Sequence, residues 1–186
     1  MGRFMNLLLA FIMLLLLFVP IIIIVIIIRL TSRGPSIYWS YRVGKNNVIF
    51  KMPKFRTMKI DTPAVATHLL RDSNNFITPV GSFLRKTSLD ELPQLWSILK
   101  RDMNFIGPRP ALFNQYDLIK LRTDRGIDKL IPGLTGWAQV NGRDELSIPD
   151  KVILDAEYMQ NQSFWLDVKI LWMTLFKVIK RTGVSR

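Results

Sequence analysis

From Phe4 to Ile28 the chain carries one polar side chain, Asn6, so this apolar run of 25 residues predicts helix in lipid. As a straight helix it would reach about 37 Å, against roughly 30 Å of bilayer hydrocarbon. A secretory signal peptide would have an apolar region of about 7–15 residues and a small-residue cleavage site. This run is longer and passes through Ile21–Ile28 into Arg29 without such a site. Pro20 lies inside it, where a missing N–H and a clash one turn back predict a kink. Basic residues flank both ends, Arg3 before and Arg29, Arg33, Arg42 and Lys45 after. Positive flanks favour the cytoplasmic side. The pattern leaves two layouts open: a kinked single pass, and a re-entrant hairpin that enters and leaves by one face.

Ser32-Arg33-Gly34-Pro35 ends the apolar pattern. Ile37–Val43 and Val48–Met52 are rich in aromatic and β-branched residues, with Gly44-Lys45-Asn46-Asn47 between them, and predict a β-hairpin. Residues 61–75 are polar and mixed, a loop with a short helix. Leu89, Leu92, Leu95, Trp96 and Leu99 recur at a helical period, and Ala111–Leu121 is a second amphipathic candidate. Residues 131–143 are turn-rich, with Pro132-Gly133, Gly136 and Asn141-Gly142. The last helix runs over Phe164–Arg181. Phe164, Val168, Leu171, Leu175 and Val178 share one face, widened by Trp165, Trp172, Phe176 and Ile179. Such a stripe faces either a core or, beside an apolar leader, the lipid interface. The whole reads as a mostly helical α/β chain with a small hairpin: a leader over residues 1–30 and one domain over 31–186.

Composition narrows the chemistry. The 186 residues hold 26 Lys+Arg and 14 Asp+Glu, a formal net charge of +12. There is no cysteine, which excludes disulfide scaffolds and thiolate chemistry, and one histidine, His68, which excludes a His-rich zinc site. Acid–base and metal chemistry must rest mostly on Asp, Glu, Lys and Arg.

One adjacent acid pair stands out, Asp90-Glu91 within Ser88-Leu89-Asp90-Glu91-Leu92-Pro93. Ser88 and Glu91 have capping-box spacing, so a helix start explains them without catalysis. Their company offers another reading. Arg85 and Lys86 precede the pair, and Gly107-Pro108-Arg109-Pro110 follows, with prolines holding Arg109 stiff and extended. A guanidinium so presented suits phosphate, because its planar fork binds two oxygens. Lys54-Phe55-Arg56 and Asn141-Gly142-Arg143 again place a basic residue at a strand end or turn. Nucleic-acid binding would cluster basic residues on one helix, or on strands with stacking aromatics. Here they are scattered. A pyrophosphate needs Arg, Lys and Mg²⁺ around it, and a carboxylate can ligate Mg²⁺ or attack phosphorus. Two other functions remain open: a membrane-tethered basic module without catalysis, and a lipid-phosphate hydrolase.

Four segments in order are similar to the bacterial sugar transferases, the monotopic phosphoglycosyl transferases. They are Lys54-Phe55-Arg56-Thr57-Met58, Leu89-Asp90-Glu91-Leu92-Pro93-Gln94-Leu95, Gly107-Pro108-Arg109-Pro110, and residues 132–143 from Pro132 to Arg143. The resemblance runs from the leader to Gly183-Val184-Ser185. It implies a UDP-sugar donor, undecaprenyl phosphate as acceptor, and a polyprenyl diphosphate sugar and UMP as products, with no nucleic acid. It implies that Asp90 is the nucleophile and a Mg²⁺ ligand, in a ping-pong cycle through a phosphosugar adduct. Glu91 would assist it, and Arg85, Arg109, Arg143 and Lys54 would bind phosphate oxygens. It also implies a re-entrant leader and interfacial amphipathic helices among membrane phospholipid, with a compact cytosolic catalytic domain on the cytoplasmic face of the bacterial inner membrane. The chain departs from the family pattern at Val19-Pro20, where Ser-Pro is usual, at Ser40 for Gln, and at Asn104 for Ser. His68 and the 61–75 loop either read the sugar or form a solvated loop.

Overall fold

The structure, a computed structural model, describes residues 2–62, 76–142 and 145–180. The leader is two helices, α1 (Arg3–Leu16) and α2 (Phe18–Thr31), bent by 61° at Leu17. The bend sits one turn before Pro20, as the proline dictates. Pro20 has no N–H for the Leu16 carbonyl, and the ladder resumes with Ile21 N–H donating to Leu17 at 2.9 Å. Among the described residues no single helix is long and apolar enough to cross a membrane; the bent pair meets the length and composition only together.

Each leader helix docks one face on the body. On α1 that face carries Asn6 and Ala10, both buried. The Asn6 Nδ2 donates to the Gly2 carbonyl at 3.1 Å, while its Oδ1 accepts the buried Phe105 N–H at 2.9 Å. The leader's one polar exception is therefore its hydrogen-bonded grip on the body. Ile24 and Ile28 of α2 pack with Phe55 and Leu84. The remaining faces, among them Phe11, Leu15, Ile23 and Ile26, are exposed.

The expected hairpin is present as β1 (Ile37–Val43) and β2 (Ile49–Phe55), antiparallel, with Tyr38 opposite Lys54 and Arg42 opposite Phe50. The second strand runs three residues beyond the expected Met52 and so carries Lys54. Helix α3 (Pro79–Lys86) follows, its N-terminus capped by the Thr78 hydroxyl, which accepts the Gly81 N–H at 2.9 Å. A one-turn 3₁₀ helix (Leu89–Glu91), helix α4 (Gln94–Leu99) and strand β3 (Asn104–Ile106) come next. Helix α5 (Tyr116–Asp124) begins five residues later than the expected Ala111. The chain first runs extended along β1, with Val43 N–H donating to the Ala111 carbonyl at 2.9 Å. That pairing withdraws residues 111–113 from the helix.

The turn-rich 131–143 stretch holds regular structure as well. Strand β4 (Gly133–Thr135) pairs parallel with β3, and α6 (Trp137–Asn141) follows. The β3–β4 contact is close because both sides are glycine: a Cβ on Gly136 would strike the Gly107 carbonyl oxygen. Helix α7 (Ile148–Gln160), capped by Ser147, and α8 (Phe164–Lys180) are the last elements among the described residues. Leu95, Ile98, Met103, Phe105, Val140 and Ile170 form the central core with Ala10 of the leader. On α8 the buried positions are Asp167 and Ile170. Tyr158 donates its hydroxyl to Asp167 Oδ1 at 2.9 Å, and Thr174 bonds Thr135 at 2.8 Å. Most of the expected apolar stripe faces outward instead, with Trp165 78% and Trp172 63% exposed.

Candidate active site

The capping box does not form. Ser88 adopts the left-handed conformation (φ 57°) and its side chain caps nothing. Pro93 is the reason: it has no N–H to offer Leu89, so an α-helix cannot continue through Leu89–Pro93. The chain winds tighter instead. Leu92 N–H donates to the Leu89 carbonyl and Glu91 N–H to Ser88, both at 3.2 Å, and the α-helix starts only at Gln94. The acid pair thus rides on a 3₁₀ turn packed against α3 and β2.

The two carboxylates differ sharply. Glu91 Oε1 accepts from Lys54 Nζ at 2.8 Å and from Arg109 Nη2 at 2.7 Å. Burial alone would raise its pKa, but Arg109 and Lys54 together outweigh burial and hold Glu91 well below the usual carboxylate range. Burial also lowers the Lys54 ammonium, opposed chiefly by Glu91. Asp90 is 8% exposed and makes no hydrogen bond or ion pair among the described residues. Burial raises its pKa; Lys54 opposes this, the Glu91 charge reinforces it, and Arg85 and Arg109 oppose it. One acid is locked and charged, while its neighbour is held in a cationic pocket with its oxygens uncommitted.

Arg85 joins from the last turn of α3, with Nε donating to Thr57 Oγ1 at 3.0 Å and Nη2 to Met58 Sδ at 3.3 Å. Lys54 from β2, Arg85 from α3 and Arg109 from the loop after β3 thus lie around Asp90-Glu91. Arg143 and His68 lie outside the described residues.

No group of three His, Cys, Asp or Glu able to hold a metal occurs among the described residues. The donor set still suits Mg²⁺, which takes one or two carboxylates and completes its shell with substrate phosphates and water. Asp90, with its oxygens uncommitted, is the carboxylate that would hold it.

Sequence reasoning missed Arg42 as a site residue. Its Nε donates to Ser40 Oγ at 3.0 Å and its Nη1 to the Pro110 carbonyl at 3.1 Å, next to Arg109. Burial lowers its pKa to about 10, assisted by Arg109, so it remains charged at neutral pH. Strand alternation carried the signal, since Tyr38, Ser40 and Arg42 share the face that Tyr38 sets beside Lys54. The buried pair Arg122–Asp155 was missed as well, and no local pattern marks it.

A buried aspartate beside Lys54, Arg85 and Arg109 is a geometry that suits an anionic group such as phosphate. Residues 1–181 match the model of the bacterial sugar transferase family, and the chain belongs to that family. It is 36% identical over 164 residues to the galactosyl transferase CpsE of Streptococcus agalactiae, covering 82% of this chain and 36% of that protein. It is 41% identical over 160 residues to the UDP-glucose:undecaprenyl-phosphate glucose-1-phosphate transferase of Escherichia coli, covering 81% and 34%. An uncharacterized sugar transferase of Bacillus subtilis, EpsL, is 39% identical over 162 residues, covering 86% and 78%. The chain spans about a third of the length of most of these curated relatives.

Proposed function

We propose that this chain moves a sugar 1-phosphate from a UDP-sugar to undecaprenyl phosphate, giving undecaprenyl diphosphate sugar and UMP through a phosphosugar adduct on Asp90. The carrying observation is the asymmetry of the acid pair: Glu91 saturated by Lys54 and Arg109, Asp90 buried beside it with both oxygens uncommitted. A carboxylate that is desolvated, unbonded and ringed by cations is placed to act as a nucleophile toward an anionic phosphorus.

An Asp90 oxygen attacks the sugar-bearing phosphorus. The bond to the UMP oxygen breaks, and UMP leaves with the electron pair. Lys54, Arg85 and Arg109 neutralise charge on the phosphoryl oxygens as it builds. The lipid phosphate then attacks the same phosphorus, the acyl-phosphate bond breaks, and the Asp90 carboxylate is restored. Glu91 stays ionised throughout and holds Lys54 and Arg109 in place. Mg²⁺ held by Asp90 would supply further positive charge at the diphosphate.

The acceptor is a lipid, which gives the outward apolar faces a role. In this reading α1–α2 enters and leaves one leaflet of the bacterial inner membrane from the cytoplasmic side. The exposed Trp165, Trp172 and Phe176 of α8 sit at headgroup depth, bringing the dyad to the acceptor phosphate.

The test is UMP release from UDP-sugars with and without undecaprenyl phosphate, beside intact-mass analysis of donor-quenched protein. Wild type should show a phosphosugar adduct that Asp90→Asn abolishes along with turnover. Sustained turnover by Asp90→Asn would overturn the nucleophile, and no lipid-linked product from any UDP-sugar would overturn the reaction.

A further inference from the structure

Arg109 sits between Pro108 and Pro110, neither of which has an N–H to donate, so this loop is anchored largely through its carbonyls. Four carbonyls in succession have a donor. Pro108 accepts from Gly133 N–H at 2.9 Å and Ala111 from Val43 N–H at 2.9 Å. The middle two accept from guanidinium groups: Arg109 from Arg122 Nη1 at 2.8 Å, and Pro110 from Arg42 Nη1 at 3.1 Å.

Arg122 is itself fixed. Its Nε and Nη2 both donate to Asp155 Oδ2, at 3.0 and 2.6 Å, and the Asp155 side chain is 1% exposed. A pair that only stapled α5 to α7 would need those two bonds and no more. The third nitrogen is turned instead onto the peptide that carries Arg109. A lysine, with one nitrogen, cannot span both partners in this fork geometry.

We propose that Arg122, oriented by Asp155, and Arg42 are positioning residues that clamp the Arg109–Pro110 peptides and so aim the Arg109 guanidinium at Glu91 and at the transferring phosphate. The phosphate half of this inference rests on the reaction proposed above. The clamp makes Arg109 rigid before substrate arrives, so its alignment is not assembled during the reaction.

The experiment is a double-mutant cycle on the full-length protein in lipid, with Arg122→Lys, Arg109→Ala and the two combined. Arg122→Lys should lower kcat by roughly 10–100-fold, the scale set by a misplacement of about 1 Å. The doubly substituted protein should be no slower than Arg109→Ala alone, because Arg122 acts through Arg109. Losses that multiply would overturn the proposal and leave Arg122 a structural staple. If Arg122→Lys does not fold, Arg42→Lys, outside the Arg122–Asp155 pair, carries the same cycle through Pro110. A second readout needs no substrate: amide exchange at Val43 and Gly133, which bond the same loop, should accelerate in Arg42→Lys and Arg122→Lys. Unchanged protection would refute the clamp whatever the reaction. Absence of UMP release by wild type would refute the reaction alone.

Discussion

Replacing Glu91 by Gln removes one charge and almost no volume. Glu91 Oε1 holds Lys54 and Arg109, and the side chains of the three are 13%, 17% and 32% exposed. Leaving buried ionic groups uncompensated costs about 3–5 kcal/mol. Arg109 is the wettest of the three and part of its share is screened, which sets the expectation near 3 kcal/mol. For a domain of this size that is a fall in Tm of roughly 6–12 °C. Its pH dependence has a fixed sign. The folded-state pKa of Glu91 is depressed, so its stabilisation is complete above the unfolded value near pH 4.3 and is lost as pH falls through the folded value. The gap between wild type and Glu91→Gln should therefore stay constant at neutral pH and narrow in acid.

A second effect runs through Asp90, whose carboxyl the Glu91 charge pushes upward. Glu91→Gln should move the acid limb of kcat/KM to lower pH. It should also reduce the plateau rate, because Lys54 and Arg109 are freed to engage Asp90. Differential scanning fluorimetry between about pH 2.5 and 8, beside UMP-release profiles, measures both. A Tm within 2 °C of wild type, or an acid limb moving upward, would refute this account of the dyad.

Two further outcomes test the frame around the site. Replacing Trp165, Trp172 and Phe176 together by Ser removes exposed rings that contribute roughly 1.5–3 kcal/mol each when they enter lipid. Partition onto anionic vesicles should fall more than tenfold with Tm unchanged, and undiminished sedimentation with vesicles would show that α8 does not face lipid. Gly136→Ala drives a Cβ into the Gly107 carbonyl and should destabilise by about 1–3 kcal/mol, read as a lower Tm in thermal melts. A wild-type Tm would mean that the β3–β4 seam yields without strain.

The elements legible in the sequence are those that local pattern controls. The apolar leader, its break near Pro20, the Gly44–Asn47 turn and the last helix all follow from composition and period within a few residues. Departures arise where a distant or competing partner decides. Ser88 and Glu91 have the spacing of a cap, but Pro93 withholds the N–H that an α-helix needs there. Ala111–Phe113 have a helical pattern, but hydrogen bonds to Tyr41 and Val43 draw them into an extended edge. Helices α3 and α7 did carry local signals, a Thr or Ser cap with proline in the first turn. Lys54, Arg85 and Arg109 are legible in the sequence as basic residues at a strand end, just before the acid pair and between two prolines. Arg42 and Arg122 bond peptides 68 and 13 residues away; strand alternation sets Arg42 on the face of Lys54, but no spacing reveals the partner of Arg122.

The grip of Asn6 on Phe105, and the burial of Ala10 within the central cluster, bear on how this protein is handled at the bench. Trimming the first helix to obtain a water-soluble version would open a hole in the hydrophobic interior and orphan an amide of β3. Swapping in a generic anchor would preserve greasiness while discarding the docking register. Preparations that retain these residues keep the central cluster intact; a truncation would not yield the same folded domain.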